Sequence, residues 1–226
     1  MLSRKLQLVI IFTFLLVAVY VFLKPAARGP LESFDLPLAA IAEGANHSEV
    51  LADVKEMVLG SEQAPVTIIE YASFTCPHCA SFHENDYQKL KKNYIDSGAV
   101  KFIFREVYFD KYGVWASLLA RCAGPEKFFG MTDMLLSNQN TWARAGSDIA
   151  IVNELRKVAR LAGMEENKVE NCLSDGNKIK ALVAWYRENA TKDKIQSTPS
   201  FIINGELYGS INYEKFTEII KEKLGS

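Results

Sequence analysis

Two cysteines separated by Pro77-His78 directly follow a short β-branched apolar run, and no other stretch limits the fold of this chain as strongly. Val66-Thr67-Ile68-Ile69-Glu70-Tyr71 reads as a buried strand. Pro77 suits the first position of a helix, where the N–H it lacks would have no partner anyway. The spacing therefore predicts a strand, a turn and a helix whose N-terminus carries Cys76. Unpaired N–H groups and the positive end of the helix dipole favour a thiolate there, and a cationic His78 adds to this. Cys79, three residues on, is placed to close a small disulfide with Cys76. A stabilised thiolate leaves quickly and makes the reduced form preferred, so such a pair tends to pass its disulfide to other proteins.

Two other uses of paired cysteines fit poorly. A structural zinc site needs four ligands, and the chain has no second closely spaced pair, only Cys122, Cys172 and three histidines. Haem attachment requires a histidine after Cys79, where Ala80 stands. No metal or organic cofactor is expected. A net charge of −1 argues against a nucleic-acid footprint.

The N-terminus sets the compartment. Arg4 and Lys5 precede an apolar run from Leu6 to Leu23, which reads as an export signal or an uncleaved signal anchor. The basic end is expected to stay in the cytoplasm and the rest to be exported, to the periplasm, so that the cysteines work in an oxidising space. Residues 24–47, punctuated by Pro25, Gly29, Pro30, Pro37 and Gly44, read as a linker.

Along the chain, Ser48 is expected to cap a short helix carrying Val50, Leu51, Val54 and Met57 or Val58 on one face. The helix after Cys76 runs to about Asn93, and Val100–Val107 forms a second strand, parallel to the first. A block rich in helical periodicity follows, with Gly124-Pro125 ending one helix and Ser147 capping another. Asn204-Gly205 between two short strands is a hairpin signal, and residues 212–224 form a terminal helix. The expected domains are 48–106 and 194–226 as two parts of one α/β fold, with 107–193 as a helical insertion.

The strand, Cys76-Pro77-His78-Cys79, helix order is a strong signal for a thioredoxin-like redox site. With Ala64-Pro65-Val66-Thr67-Ile68-Ile69-Glu70 and Thr198-Pro199-Ser200-Phe201, the chain from about Val58 onward resembles the DsbA-like thioredoxin family of exported disulfide oxidoreductases. The resemblance implies a thioredoxin fold with an inserted helical domain. It implies that Pro199 is cis against the redox pair, with Thr198 offering backbone groups to a substrate strand. It also implies that Glu70 is a buried acid beneath the cysteines. A desolvated carboxylate has a raised pKa and can exchange a proton with Cys79, although a strand-end carboxylate reaching solvent is the plainer alternative.

Cys122 and Cys172 fall on apolar helix stripes, either as two buried thiols or as a second disulfide. Export and the even cysteine count favour the disulfide, and some alphaproteobacterial members of the family carry an additional pair. In the chain-entropy picture such a bridge stabilises by about 4 kcal/mol.

The function expected is donation of the Cys76–Cys79 disulfide to exported proteins with reduced cysteines, by a monomer. The resemblance implies a membrane quinone-linked oxidase of the DsbB type as reoxidant. An isomerase or reductase of the same fold is the nearest alternative, since Thr198 resembles isomerase-type members. A tethered holdase with a vestigial pair is the alternative from another class.

Overall fold

The computed structural model describes residues 54–225. The export segment, the linker and the Ser48 cap lie outside these residues. Strands β1 (Met57–Leu59), β2 (Val66–Ala72), β3 (Val100–Glu106), β4 (Ser200–Ile203) and β5 (Glu206–Tyr208) form one sheet in the order β1-β3-β2-β4-β5. β2 lies at the centre, parallel to β3 and antiparallel to β4. Central position explains its composition: Val66, Ile68, Tyr71 and Ala72 are fully buried.

The helix expected to reach Met57 and Val58 is corrected by β1, which pairs antiparallel with β3. The open edge of β3 presents unpaired backbone groups, and a three-residue strand satisfies them better than an isolated helical turn would. Gly60 then turns the chain at φ +95°, where an added Cβ would meet the Val100 carbonyl oxygen at 2.5 Å.

The crossover that a parallel pair requires is α1 (Pro77–Phe82) and its continuation. The helix runs on through a wide π turn at His83–Tyr87, an α turn at Gln88–Leu90 and a second π turn at Lys91–Ile95. The first π turn brings His83 and Tyr87 to the buried side together, with ring centroids 4.4 Å apart.

Between β3 and β4 the chain is helical: α2 (Lys111–Cys122), α3 (Pro125–Ser137), α4 (Gln139–Trp142), α5 (Asp148–Leu161), α6 (Glu166–Leu173) and α7 (Gly176–Lys192). Side-chain oxygens of Asp110, Ser147 and Asp175 accept first-turn N–H groups at the starts of α2, α5 and α7. The stretch around Val169 and Cys172 is a two-turn helix. The hairpin turn has Asn204 and Gly205 both at positive φ, as a type I′ turn needs. Asn204 Oδ1 also accepts the Thr67 N–H at 2.7 Å, which ties the hairpin to β2.

α8 (Tyr213–Leu224) closes the fold. Its Phe216 packs on Phe201 of β4 and Phe82 of α1, at centroid distances of 4.8 and 5.6 Å. On the same core, Phe128 of α3 meets Phe104 of β3 at 5.7 Å. The inserted helices and the sheet thus share one hydrophobic cluster.

Candidate active site

Cys76 leaves β2 through a turn in which its N–H donates to the Ser73 carbonyl at 3.1 Å, and it stands at the N-cap of α1 in extended conformation. Pro77 follows at the first helical position and is exposed, as is His78. Both Cys76 and Cys79 are thiols in this structure. They differ in access: Cys76 is 7% exposed and Cys79 fully buried.

The two sulfurs are electrostatic opposites. The hydrogen bond from Cys79 is the largest influence on Cys76; with the neighbouring Thr198 and the N–H groups of Cys79 and His78 it outweighs desolvation and holds the Cys76 pKa at about 5. The backbone N–H of His78 at the helix start is among these donors. Burial pushes the Cys79 thiol far up, and its bond to Cys76 and the Glu70 charge push it further. The site thus favours ionisation of the sulfur at the rim and opposes it at the sulfur beneath.

The Thr198–Pro199 peptide is cis, and the Cys76 thiol donates to the Thr198 carbonyl across 3.5 Å. The Thr198 hydroxyl is buried. Ser200, next along, donates from its hydroxyl to the Ser197 carbonyl at 2.8 Å, so this loop is tied to itself before β4 begins.

Glu70 is fully buried on β2, opposite Phe104 of β3 and Phe201 of β4. It does not reach solvent as a strand-end carboxylate would. His83 Nε2 donates to its Oε2 at 2.8 Å. Burial alone would lower the His83 pKa; the Glu70 charge, the hydrogen bond to Glu70 and the nearby Asp133 carboxylate reverse this and raise it to about 9. The residue reading of the sequence passed over this partner. The signal was present, because His83 lies four residues after Cys79 on the same helix face.

A second residue missed from the sequence is Gln139. Its buried side-chain amide donates to the carbonyls of Phe74 and Cys76, at 2.8 and 2.9 Å. The inserted helices thereby hold the redox loop from a distance of 63 residues in sequence, which no local pattern announces. Replacing Gln139 by Leu is expected to lower stability by about 1–3 kcal/mol, since two buried carbonyls lose a partner. Chemical denaturation of the reduced protein checks this, with faster hydrogen exchange at the Cys76–Ala80 amides as the local signature.

Cys122 at the end of α2 and Cys172 of α6 form a disulfide, with Cα atoms 6.3 Å apart. It joins two inserted helices. Among the described residues, no three His, Cys, Asp or Glu side chains gather where they would hold a metal ion.

Comparison with known proteins agrees with this geometry. A family model described as Thioredoxin matches residues 52–222. The crystal structure of Wolbachia pipientis alpha-DsbA1 superposes with a TM-score of 0.71 at 27% identity, over 80% of this chain and 96% of that one. The oxidised Bacillus subtilis BdbD structure gives 0.63 at 26% identity, over 76% and 94%. A Rickettsia felis protein provisionally named protein-disulfide oxidoreductase is 30% identical over 173 residues, 76% of this chain. Disulfide bond formation protein D of Bacillus subtilis is 28% identical, over 74% of this chain and 76% of its own length. The chain spans 61% and 58% of the two Rickettsia relatives it matches first. It belongs to the thioredoxin family, within the DsbA-like group, and has the thioredoxin fold with a helical insertion.

Proposed function

We propose that the protein is an exported thiol–disulfide oxidoreductase that donates the Cys76–Cys79 disulfide to folding proteins. The observation that carries this is the opposition of the two sulfurs, with Cys76 held at about 5 and Cys79 buried and pushed up. A client thiolate attacks Cys76 Sγ and displaces Cys79, giving a mixed disulfide. A second client thiol then attacks the client sulfur, and Cys76 departs as the stabilised thiolate. Pro77 fixes the helix start that provides the N–H groups. The Thr198 carbonyl lies 3.5 Å from the Cys76 sulfur, and in this reading Thr198, held by the cis bond to Pro199, offers its backbone to an extended client.

A cleft of about 650 Å³ opens beside His78, between Ser81 and Asn85 of the helix and Ser210, Ile211 and Lys215 before and within α8. It provides a polar surface along which such a client can lie. Glu70 serves in this reading as the acid that exchanges a proton with Cys79.

The Cys122–Cys172 bridge supports work in an oxidising compartment, and the apolar run from Leu6 to Leu23 supports export with retention at the inner membrane. Among the described residues no helix is long and apolar enough to cross a membrane. Reoxidation of Cys76 and Cys79 falls to a membrane quinone-linked oxidase of the DsbB type.

Equilibration of the full chain with glutathione tests the reading. The expected result is a potential more oxidising than about −200 mV. A potential near about −270 mV, as in thioredoxin, would place the pair in a reductase instead.

A further inference from the structure

Cys79 must lose a proton each time the disulfide forms and regain one each time it opens, yet it is wholly buried. Glu70, whose charge already opposes ionisation of Cys79, is as deeply buried and has no outlet of its own. The outlet lies on the far side of the carboxylate. His83, 3% exposed, binds Glu70 Oε2 through Nε2 at 2.8 Å, and its Nδ1 points at Asp133 Oδ1 of α3 at 3.6 Å. Asp133 is 34% exposed and reaches solvent.

Three further details fit a conduit better than a sealed structural pair. Glu70 Oε1 and His83 Nδ1 are buried polar atoms with no hydrogen-bond partner within 3.5 Å, and Asp133 Oδ1 is another. A purely structural buried polar cluster is ordinarily fully satisfied. The imidazole carries protons on two nitrogens, one facing the acid and one facing outward. The remaining walls are the Phe82 and Phe104 rings and Tyr87, whose phenol burial pushes up and keeps neutral.

We propose that His83 and Asp133 form the path by which the Cys79 proton passes between the buried Glu70 carboxylate and solvent. This rests on the thiol–disulfide reading above and extends it. When Cys79 closes the disulfide, its sulfur lone pair forms the bond to Cys76 Sγ, and the bond from Cys76 to the mixed-disulfide partner breaks, leaving that partner as a thiolate. The Cys79 proton goes to Glu70 Oε1. His83, now beside a neutral acid, releases its Nδ1 proton toward Asp133 and solvent. Opening of the disulfide reverses each transfer, so one proton leaves to solvent on closure and one enters on opening. Asp133 and His83 are positioning and relay groups, since neither touches a sulfur.

The experiment uses the full-length protein carrying glutathione on Cys76, and follows glutathione release by Cys79 in stopped flow from pH 5.5 to 8.5. His83→Gln keeps a donor toward Glu70 but has no second nitrogen to pass a proton. It is expected to slow release about 10-fold, with the glutathione equilibrium constant within about 2-fold of wild type. Asp133→Asn, at a part-exposed position, is expected to slow release about 3-fold. Nitrogen chemical shifts of His83 at pH 7 provide a readout on the wild-type protein: charged in the reduced state and neutral in the disulfide state. Wild-type release rates in both variants, or the same His83 protonation in both redox states, would overturn the relay and leave the donor function standing. If wild-type Cys79 does not displace glutathione at all, the donor reading itself falls, and the relay with it.

Discussion

The stability of the reduced protein relative to the disulfide form is expected to rise steadily between pH 5 and pH 8. A Cys76 pKa of about 5 in the fold stands against a typical unfolded thiol value near ~8.5. A group whose pKa is depressed on folding contributes its full stability above the unfolded value and loses it as pH falls through the folded one. Three pH units at ~1.4 kcal/mol each would give ~4 kcal/mol, and solvent screening at the rim reduces this to roughly 2–3 kcal/mol. For a domain of this size that is about 4–12 °C in Tm. The small loop closed by the Cys76–Cys79 bridge stabilises the disulfide form too, but by an amount that does not vary with pH. Calorimetry of both forms at pH 5 and pH 8 checks the result. A difference in Tm that stays constant across that range would mean that Cys76 is not a stabilised thiolate, and the donor reading would lose its main support.

Replacing Arg121 by Met is expected to cost about 3–5 kcal/mol, the largest effect on stability we foresee for one side chain. Arg121 of α2 grips Glu106 of β3 through two bonds of 2.6 Å, and it donates to the Lys55 carbonyl at 2.9 Å. Ser117 adds a bond to the same carboxylate at 3.0 Å. Both ions are almost entirely out of water, so removing the guanidinium leaves a buried carboxylate that must protonate or drag in solvent. Urea denaturation of the reduced variant at pH 7 measures the loss. The double replacement Arg121→Met with Glu106→Leu is expected to recover much of it, because the cost lies in the orphaned charge rather than in the lost attraction. A loss below about 1 kcal/mol in the single variant would show that Glu106 finds another partner.

What could be read from the chain alone was local. Val66–Tyr71 shows its burial as a β-branched run, Pro77 and Cys76 show the helix start by position, and Ser147 shows a cap. Asn204-Gly205 shows a turn because few other pairs accept positive φ at both places. Each signal depends on backbone chemistry within a few residues, which is why each is legible. The misreading of Met57 and Val58 has the same origin. Three apolar residues carry no decisive period, and the choice between helix and strand was made by the unpaired edge of β3, far away in sequence.

The redox pair, its place at a helix N-terminus and its burial against a strand are thus properties of the sequence itself, because steric and dipolar effects over four residues specify them. The difference between the two sulfurs is a property of the tertiary structure. Thr198 reaches Cys76 from 122 residues away, Gln139 clamps the loop from the inserted helices, and His83 meets Glu70 only because a π turn rotates it inward. Desolvation and hydrogen bonding depend on what surrounds a group in space, and only the packed chain brings those surroundings together.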